Sequence, residues 1–150
     1  MVTKKEYNST KDYLRSAIIL NKDINDNLRR ISELKAKVRG TSIQYKADKI
    51  QTSGSKDMIG DIIAEYTALE QETDEMVDEY VDLKAKIHQE IMTCDKDSWQ
   101  RVLSVMYVEG KNIYETAEYL EKPDGTVKRW HTEAVINFFE KNRHKILYSA

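Results

Sequence analysis

From Ile59 to Ile91, residues suited to a buried seam recur every three or four positions: Ile59, Ile62, Tyr66, Leu69, Thr73, Met76, Tyr80, Leu83, Ile87 and Ile91. At 3.6 residues per turn, that spacing returns each of them to one helical face, and held this long it is a coiled-coil seam. It predicts a helix from about Met58 to Cys94, roughly 35 residues and about 50 Å long. One proline and five glycines in 150 residues leave few places to turn, so the expected fold class is all-α.

A second rhythm precedes the first. From about Thr10 to Val38, the residues Ala17, Ile24, Leu28, Ile31 and Val38 keep the same alternation, with Leu14, Ile18, Leu20 and Leu34 beside them. Asn21 and Lys35 stand where the seam would take apolar groups. Residues 40–56 read as a linker. Gly40 is placed to end the first helix in a left-handed conformation, and Ser55 to cap the second, with Asp57 near its positive end. A linker of that length permits a reversal, so an antiparallel helical hairpin is expected. Lys46, Lys49 and Lys56, with Tyr45 among them, are either phosphate contacts or a solvated loop.

The net charge of −2 conceals an asymmetry. Residues 1–56 carry 13 Lys/Arg against 6 Asp/Glu, residues 57–97 carry 3 against 13, and residues 98–150 carry 8 against 7. Opposite charge favours pairing the two helices. Exposed ion pairs contribute little singly, so they select the partner more than they stabilise it. Residues 1–95 thus read as a coiled-coil assembly region. A lone amphipathic hairpin leaves apolar flanks, which predicts a homo-oligomer through residues 10–94, with pairing within or between chains left open.

Residues 96–150 follow a shorter pattern. Trp99, Val102, Leu103, Met106 and Tyr107 mark one helix, stopped at Gly110. Asn112 and Glu115 have the spacing of a capping box at the start of the next, whose inward residues are Ile113, Ala117 and Leu120. Then comes EKPDG, and a third helix with Val127, Trp130, Ala134, Val135 and Phe138 on one face. Pro123 is the chain's only proline. It has no N–H and a fixed φ, so it suits the entry to that helix and no position inside one. Two helices joined by a short turn, with small Ala117 at the crossing, predict a helix-turn-helix.

The outward face of the third helix holds Gly125, Lys128, Arg129 and Thr132, with Thr126 and His131 nearby. Lys and Arg neutralise phosphate or donate to guanine O6 and N7, and Thr reaches a phosphate or a thymine methyl. Gly125 allows close backbone approach. Lys111 and Asn112, opening the preceding helix, are placed to hold a phosphate backbone. The competing reading is a helical bundle whose Lys128 and Arg129 are ordinary solvated charges.

The stretch WQRVLSVMYVEGKNIYETAEYLEKPDGTVKRWHTEAV resembles the fourth conserved region of bacterial sigma factors. Tyr107, Glu109, Gly110, Glu115, Ala117, Leu120, Gly125, Thr126, Val127 and Lys128 carry the match, over roughly residues 97–140. A long N-terminal helix, DKIQTSGSKD and a long acidic helix ahead of that tail are similar to phage and prophage late-operon regulators of the RinA and ArpU type. The resemblance implies a sequence-specific activator of packaging and morphogenesis genes, with double-stranded DNA and host RNA polymerase as partners. It implies Asp124, Gly125, Lys128 and Arg129 facing bases, and Asn112 and Thr126 near phosphates. Pro123 departs from the pattern, standing where sigma recognition helices carry a Ser or Thr cap. Asp124 is then the candidate cap, which would move the helix start by one residue. Nothing matches the promoter-melting regions of a full sigma factor.

Two other readings accompany this one. A small terminase subunit also joins a helix-turn-helix to coiled-coil helices, and a protein-interaction adaptor would use the C-terminal bundle without DNA. No catalytic constellation or metal-ligand spacing is evident, so no enzyme activity and no cofactor are expected. His88, His131 and His144 lie in separate segments, and Cys94 reads as a buried small side chain. The acidic run between 65 and 82 reads as a solvated face. The polar N-terminus shows no signal peptide, no apolar run reaches about 18 residues, and a single cysteine suits the bacterial cytoplasm.

Overall fold

The computed structural model describes residues 1–47 and 53–148, with side chains described for 1–41 and 57–148. Among them every regular element is helical, and the fold class is all-α. Helix α1 spans Lys4–Ala47, α2 Ser53–Ile91, α3 Asp97–Leu103, α4 Ile113–Leu120 and α5 Asp124–Leu147. A π-helical turn, Ser104–Val108, follows α3.

Helix α1 starts six residues earlier than its apolar rhythm suggests, because a capping box sets its start. Glu6 N–H donates to Thr3 Oγ1 at 3.1 Å, and Thr3 N–H donates to Glu6 Oε1 at 3.0 Å. Its far end corrects the expected linker of 40–56. Gly40 lies inside α1 and does not end it; the helix runs on to Ala47. One interior glycine costs about 1 kcal/mol, which a long helix tolerates when no proline follows. Helix α2 begins at Ser53, so Ser55 is not its cap. The contacts expected of Tyr45, Lys46, Lys49 and Lys56 fall outside the described side chains.

The chain packs as two compact units, residues 20–79 and residues 1–19 together with 80–150. The sequence had suggested a boundary at 95. Residues 1–19 and 80–95, read as coiled coil, instead share the core of the C-terminal helices.

In residues 20–79, Ile24, Ile31, Leu34, Ile62 and Thr73 are buried. Asn27 Nδ2 lies 3.3 Å from Met76 Sδ, and Lys35 Nζ 3.3 Å from Glu70 Oε1. From Asn27–Met76 to Lys35–Glu70 the partners descend along α2 as they ascend along α1, which is an antiparallel pairing. Arg30 adds a link to Glu65 at 3.2 Å. Every expected seam residue of α2 in this unit is buried or half-buried. Thr73 tolerates burial because its hydroxyl donates to the Leu69 carbonyl at 2.6 Å. The α1 seam differs from its expected path: Leu28 is 50% exposed, and Asn27 and Leu34 occupy the seam in place of Leu28 and Lys35. From Ile24 a step of three or of four both fit a helix, and only the facing side chains choose between them.

The other unit is built around Phe138 and Phe139, both fully buried. Leu14 and Ala17 of α1, Ile87 and Ile91 of α2, Leu103, Tyr107, and Ala134, Val135 and Ile146 of α5 complete this core. Polar groups of α5 fasten the corner between α2 and α3. Asn137 Oδ1 accepts the Asp95 N–H at 2.9 Å, and its amide donates to Asp95 Oδ2 at 2.9 Å. Lys141 pairs with Asp95 at 2.8 Å; together with the Asn137 bond it holds the Asp95 carboxyl below its usual range. Asn142 leaves the helical conformation (φ −123°, ψ 23°), and its buried amide donates to Thr93 Oγ1 and to the Phe138 carbonyl, each at 3.1 Å. Cys94 is buried, which pushes its thiol up to about 11 and keeps it unreactive. Among the described residues no helix is long and apolar enough to cross a membrane, and no group of acidic, His and Cys side chains is arranged to hold a metal ion.

Candidate nucleic-acid interface

Helices α4 and α5 are set by three local devices. Gly110 has φ 79°, a conformation that favours glycine, and reverses the chain after the π turn. Lys111 N–H then donates back to the Val105 carbonyl at 3.1 Å. Asn112 caps α4 as expected: Glu115 N–H donates to Asn112 Oδ1 at 2.8 Å, and Asn112 N–H to Glu115 Oε1 at 3.0 Å. At the other end of α4, Glu121 adopts a left-handed conformation (φ 55°, ψ 46°) and Lys122 N–H donates to the Ala117 carbonyl at 3.0 Å.

The turn is Glu121, Lys122 and Pro123, and α5 begins at Asp124. Pro123 itself is the N-cap (φ −59°, ψ 146°), and its carbonyl accepts the Val127 N–H at 3.1 Å. Asp124, expected as the cap, is therefore the first helical residue. A ring with fixed φ enters a helix directly, so the start needs no shift, and Asp124 contributes only its charge near the positive end. Behind the turn, Val102, Ala117 and Val127 form a small core with Met106, Ile113, Leu120 and Trp130 around it. These include the inward residues that the spacing predicted.

The opposite face of α5 presents Gly125, Lys128, Arg129 and Thr132, all exposed and at the i, i+3, i+4, i+7 spacing of one stripe. A Cβ on Gly125 would meet nothing within 4 Å, so no contact inside the protein requires a glycine there. Lys128 Nζ lies 5.3 Å from the ring centre of Tyr114, which joins α4 to the stripe. Arg129 Nε lies 3.7 Å from Glu133 Oε1, and Thr132 donates to the Lys128 carbonyl at 3.1 Å. Asp124 is exposed and Thr126 half-buried. Lys111, half-buried, rests its ammonium 5.7 Å from the Tyr119 ring centre. Asn112 is exposed; its carbonyl oxygen is committed to the cap, leaving its NH₂ to contact a ligand.

Tyr114 and Tyr119 were not expected at this surface. They are 58% and 60% exposed. Aromatic residues on an eight-residue helix read as core until the packing shows which face is covered. The surface is also less basic than α5 alone. Residues 111–133 hold four Lys/Arg against five Asp/Glu, Glu115, Glu118, Glu121, Asp124 and Glu133. Diffuse electrostatic attraction to a polyanion is therefore weak here, and any nucleic-acid recognition must come from placed contacts.

His131, expected near the outward face, turns inward. Its Nε2 lies 2.7 Å from the Tyr107 hydroxyl, and the rings stack at 5.8 Å. Burial, then the nearby charges of Lys11 and Arg15, bring the His131 pKa down to about 4. A neutral ring protonated on Nδ1 accepts the Tyr107 hydroxyl, whose own pKa burial pushes up to about 12. This depressed histidine makes stability pH-dependent. Above about 6.5 it is neutral folded and unfolded; between about 6.5 and 4 only the unfolded chain binds the proton. Stability is expected to fall through that window by roughly 2–3 kcal/mol. Urea melts across the range should show a shallower loss for His131→Gln; equal slopes would exclude the effect. Comparisons with protein-family models, with curated proteins and with solved structures find no match to this chain.

Proposed function

We propose that this chain is a sequence-specific double-stranded-DNA-binding regulator that reads DNA with the first turns of α5. The observation that carries the reading is the exposed stripe Gly125, Lys128, Arg129 and Thr132 on a helix entered through a three-residue turn from a capped helix. Such a helix fits the major groove, where Lys and Arg donate to guanine edges and the preceding helix lies against the backbone. The likeness to the fourth sigma region, and to late-operon regulators of the RinA and ArpU type, supports a role in activating phage genes with host RNA polymerase. Self-association is part of the same proposal. Leu28, Met58, Ile63 and Val77 in residues 20–79 leave apolar area exposed, which pairing with a second copy would cover.

Selection from a pool of random duplexes tests the reading, followed by footprinting of the winner. Enrichment of one motif, with protection over about one helical turn per bound unit, is the expected result. Because few cations face outward, log affinity should fall with log salt by a slope of only about −2 to −4 per bound unit. A pool that never departs from random sinks the proposal. The mixed charge and exposed Tyr114 and Tyr119 favour a second reading, a protein-interaction adaptor. Retention of RNA polymerase by a protein with no DNA affinity would select it.

A further inference from the structure

Helix α1 brings a cation to the same side of the molecule as α4. Arg15 and Ile18 of α1 line a groove of about 560 Å³ with Lys111, Asn112, Ile113 and Glu115. Arg15 is exposed, and no ion pair or hydrogen bond of its side chain is found among the described residues. Among the described residues Glu115 is the one carboxylate lining the groove, and its Oε1 already accepts the Asn112 N–H. Lys11, one helical turn before Arg15, lies close enough with it to bear on His131 of α5. The groove is therefore lined by two basic residues, Arg15 and Lys111, a carboxylate already engaged by the cap and the Asn112 side chain.

We propose that Arg15 is a phosphate-positioning residue of the DNA interface, and that the groove it shares with Lys111 and Asn112 carries one sugar–phosphate strand. The proposal rests on the DNA-binding reading above. Its physical content is charge complementarity: a guanidinium with no ion pair among the described residues and a lysine border one groove, and both suit the phosphates of a strand. A phosphate contact fixes how the protein sits on the duplex without reading its sequence.

The test measures binding of full-length protein to the selected duplex and to a random-sequence duplex over a range of salt. Arg15→Ala is expected to weaken both by the same factor, about five- to tenfold, and to make the salt slope shallower by about one. Arg15→Lys should recover most of the affinity, because a phosphate accepts a point charge. Arg29→Ala serves as the control, since Arg29 is exposed on α1 and does not line the groove. Unchanged affinity and slope in Arg15→Ala overturn the proposal while leaving the α5 reading intact. Equal loss in Arg29→Ala also overturns it, by showing a general charge effect. Wild-type protein that binds neither duplex removes both readings, and saturable binding of an acidic peptide by that protein would reassign the groove.

Discussion

A fragment of residues 96–150 is expected not to fold. The sequence pattern marks it as a complete helix-turn-helix domain, but the structure draws five of the twelve buried residues of its main core from outside the fragment. Phe138 and Phe139 are covered by Leu14 and Ala17 of α1 and by Ile87, Ile91 and Cys94 at the end of α2. Burying a Leu or Ile side chain stabilises by about 1.5–3 kcal/mol, so losing Leu14, Ile87 and Ile91 alone removes roughly 5–9 kcal/mol. Small domains have only about 5–15 kcal/mol in total. The fragment also loses the Thr93 hydroxyl and the Asp95 carboxylate, leaving Asn137 and Lys141 without Asp95 and Asn142 with only the Phe138 carbonyl. Circular dichroism and amide proton dispersion should show a partly helical chain without a cooperative melt. A dispersed spectrum and a sharp transition would mean that the boundary near residue 95 is right after all. DNA-binding assays on such a fragment would report its unfolding rather than its chemistry.

Replacing Lys128 and Arg129 together by alanine should abolish sequence preference while leaving the fold intact. Each base-reading contact contributes about 1–3 kcal/mol of discrimination, so the pair accounts for roughly 2–6 kcal/mol. Affinity for the selected duplex should therefore fall by at least about thirtyfold, towards that for random DNA. Stability should change little. Lys128 touches only the exposed face of Tyr114, and Arg129 pairs with Glu133 at the surface, contacts worth about 0–1 kcal/mol each. The melting temperature separates loss of reading from loss of fold. Retained preference with both residues gone would move the contact surface away from α5.

The Arg15 and Lys128/Arg129 variants differ in kind as well as in size. A phosphate contact lowers affinity for every sequence alike, whereas a base contact lowers it only for the preferred one. Measured together, they divide the surface into positioning and reading parts. The proposed interface would draw on residues more than a hundred positions apart, which no single stretch of the chain could have shown.

Much of this protein was legible before any coordinates. The seam of α2, the Asn112–Glu115 box, the stop at Gly110 and the break at Pro123 are local devices, each satisfied within a few residues, so spacing alone reveals them. The Thr3–Glu6 box has the same spacing, yet the apolar rhythm put the start of α1 near Thr10, because no apolar period extends over the residues it caps. Gly40 was misleading, because a glycine favours a helix end without enforcing one, and the residues that would have decided the matter are its neighbours along a long helix. Leu28 was misplaced because two helical steps fit equally well from Ile24.

What only the tertiary structure decided is which residues meet across the chain. His131 could not be placed against Tyr107 from sequence, nor Arg15 beside Lys111, nor the two tyrosines of α4 on an exposed face. The sequence by itself determined that the chain is helical, the Asn112–Glu115 cap of α4 and the candidate stripe on α5, because helical periodicity and capping are short-range. The division into units, the sharing of α1 and α2 with the C-terminal core and the groove at Arg15 depended on packing between distant segments, where burial energy rather than local propensity chooses the partners.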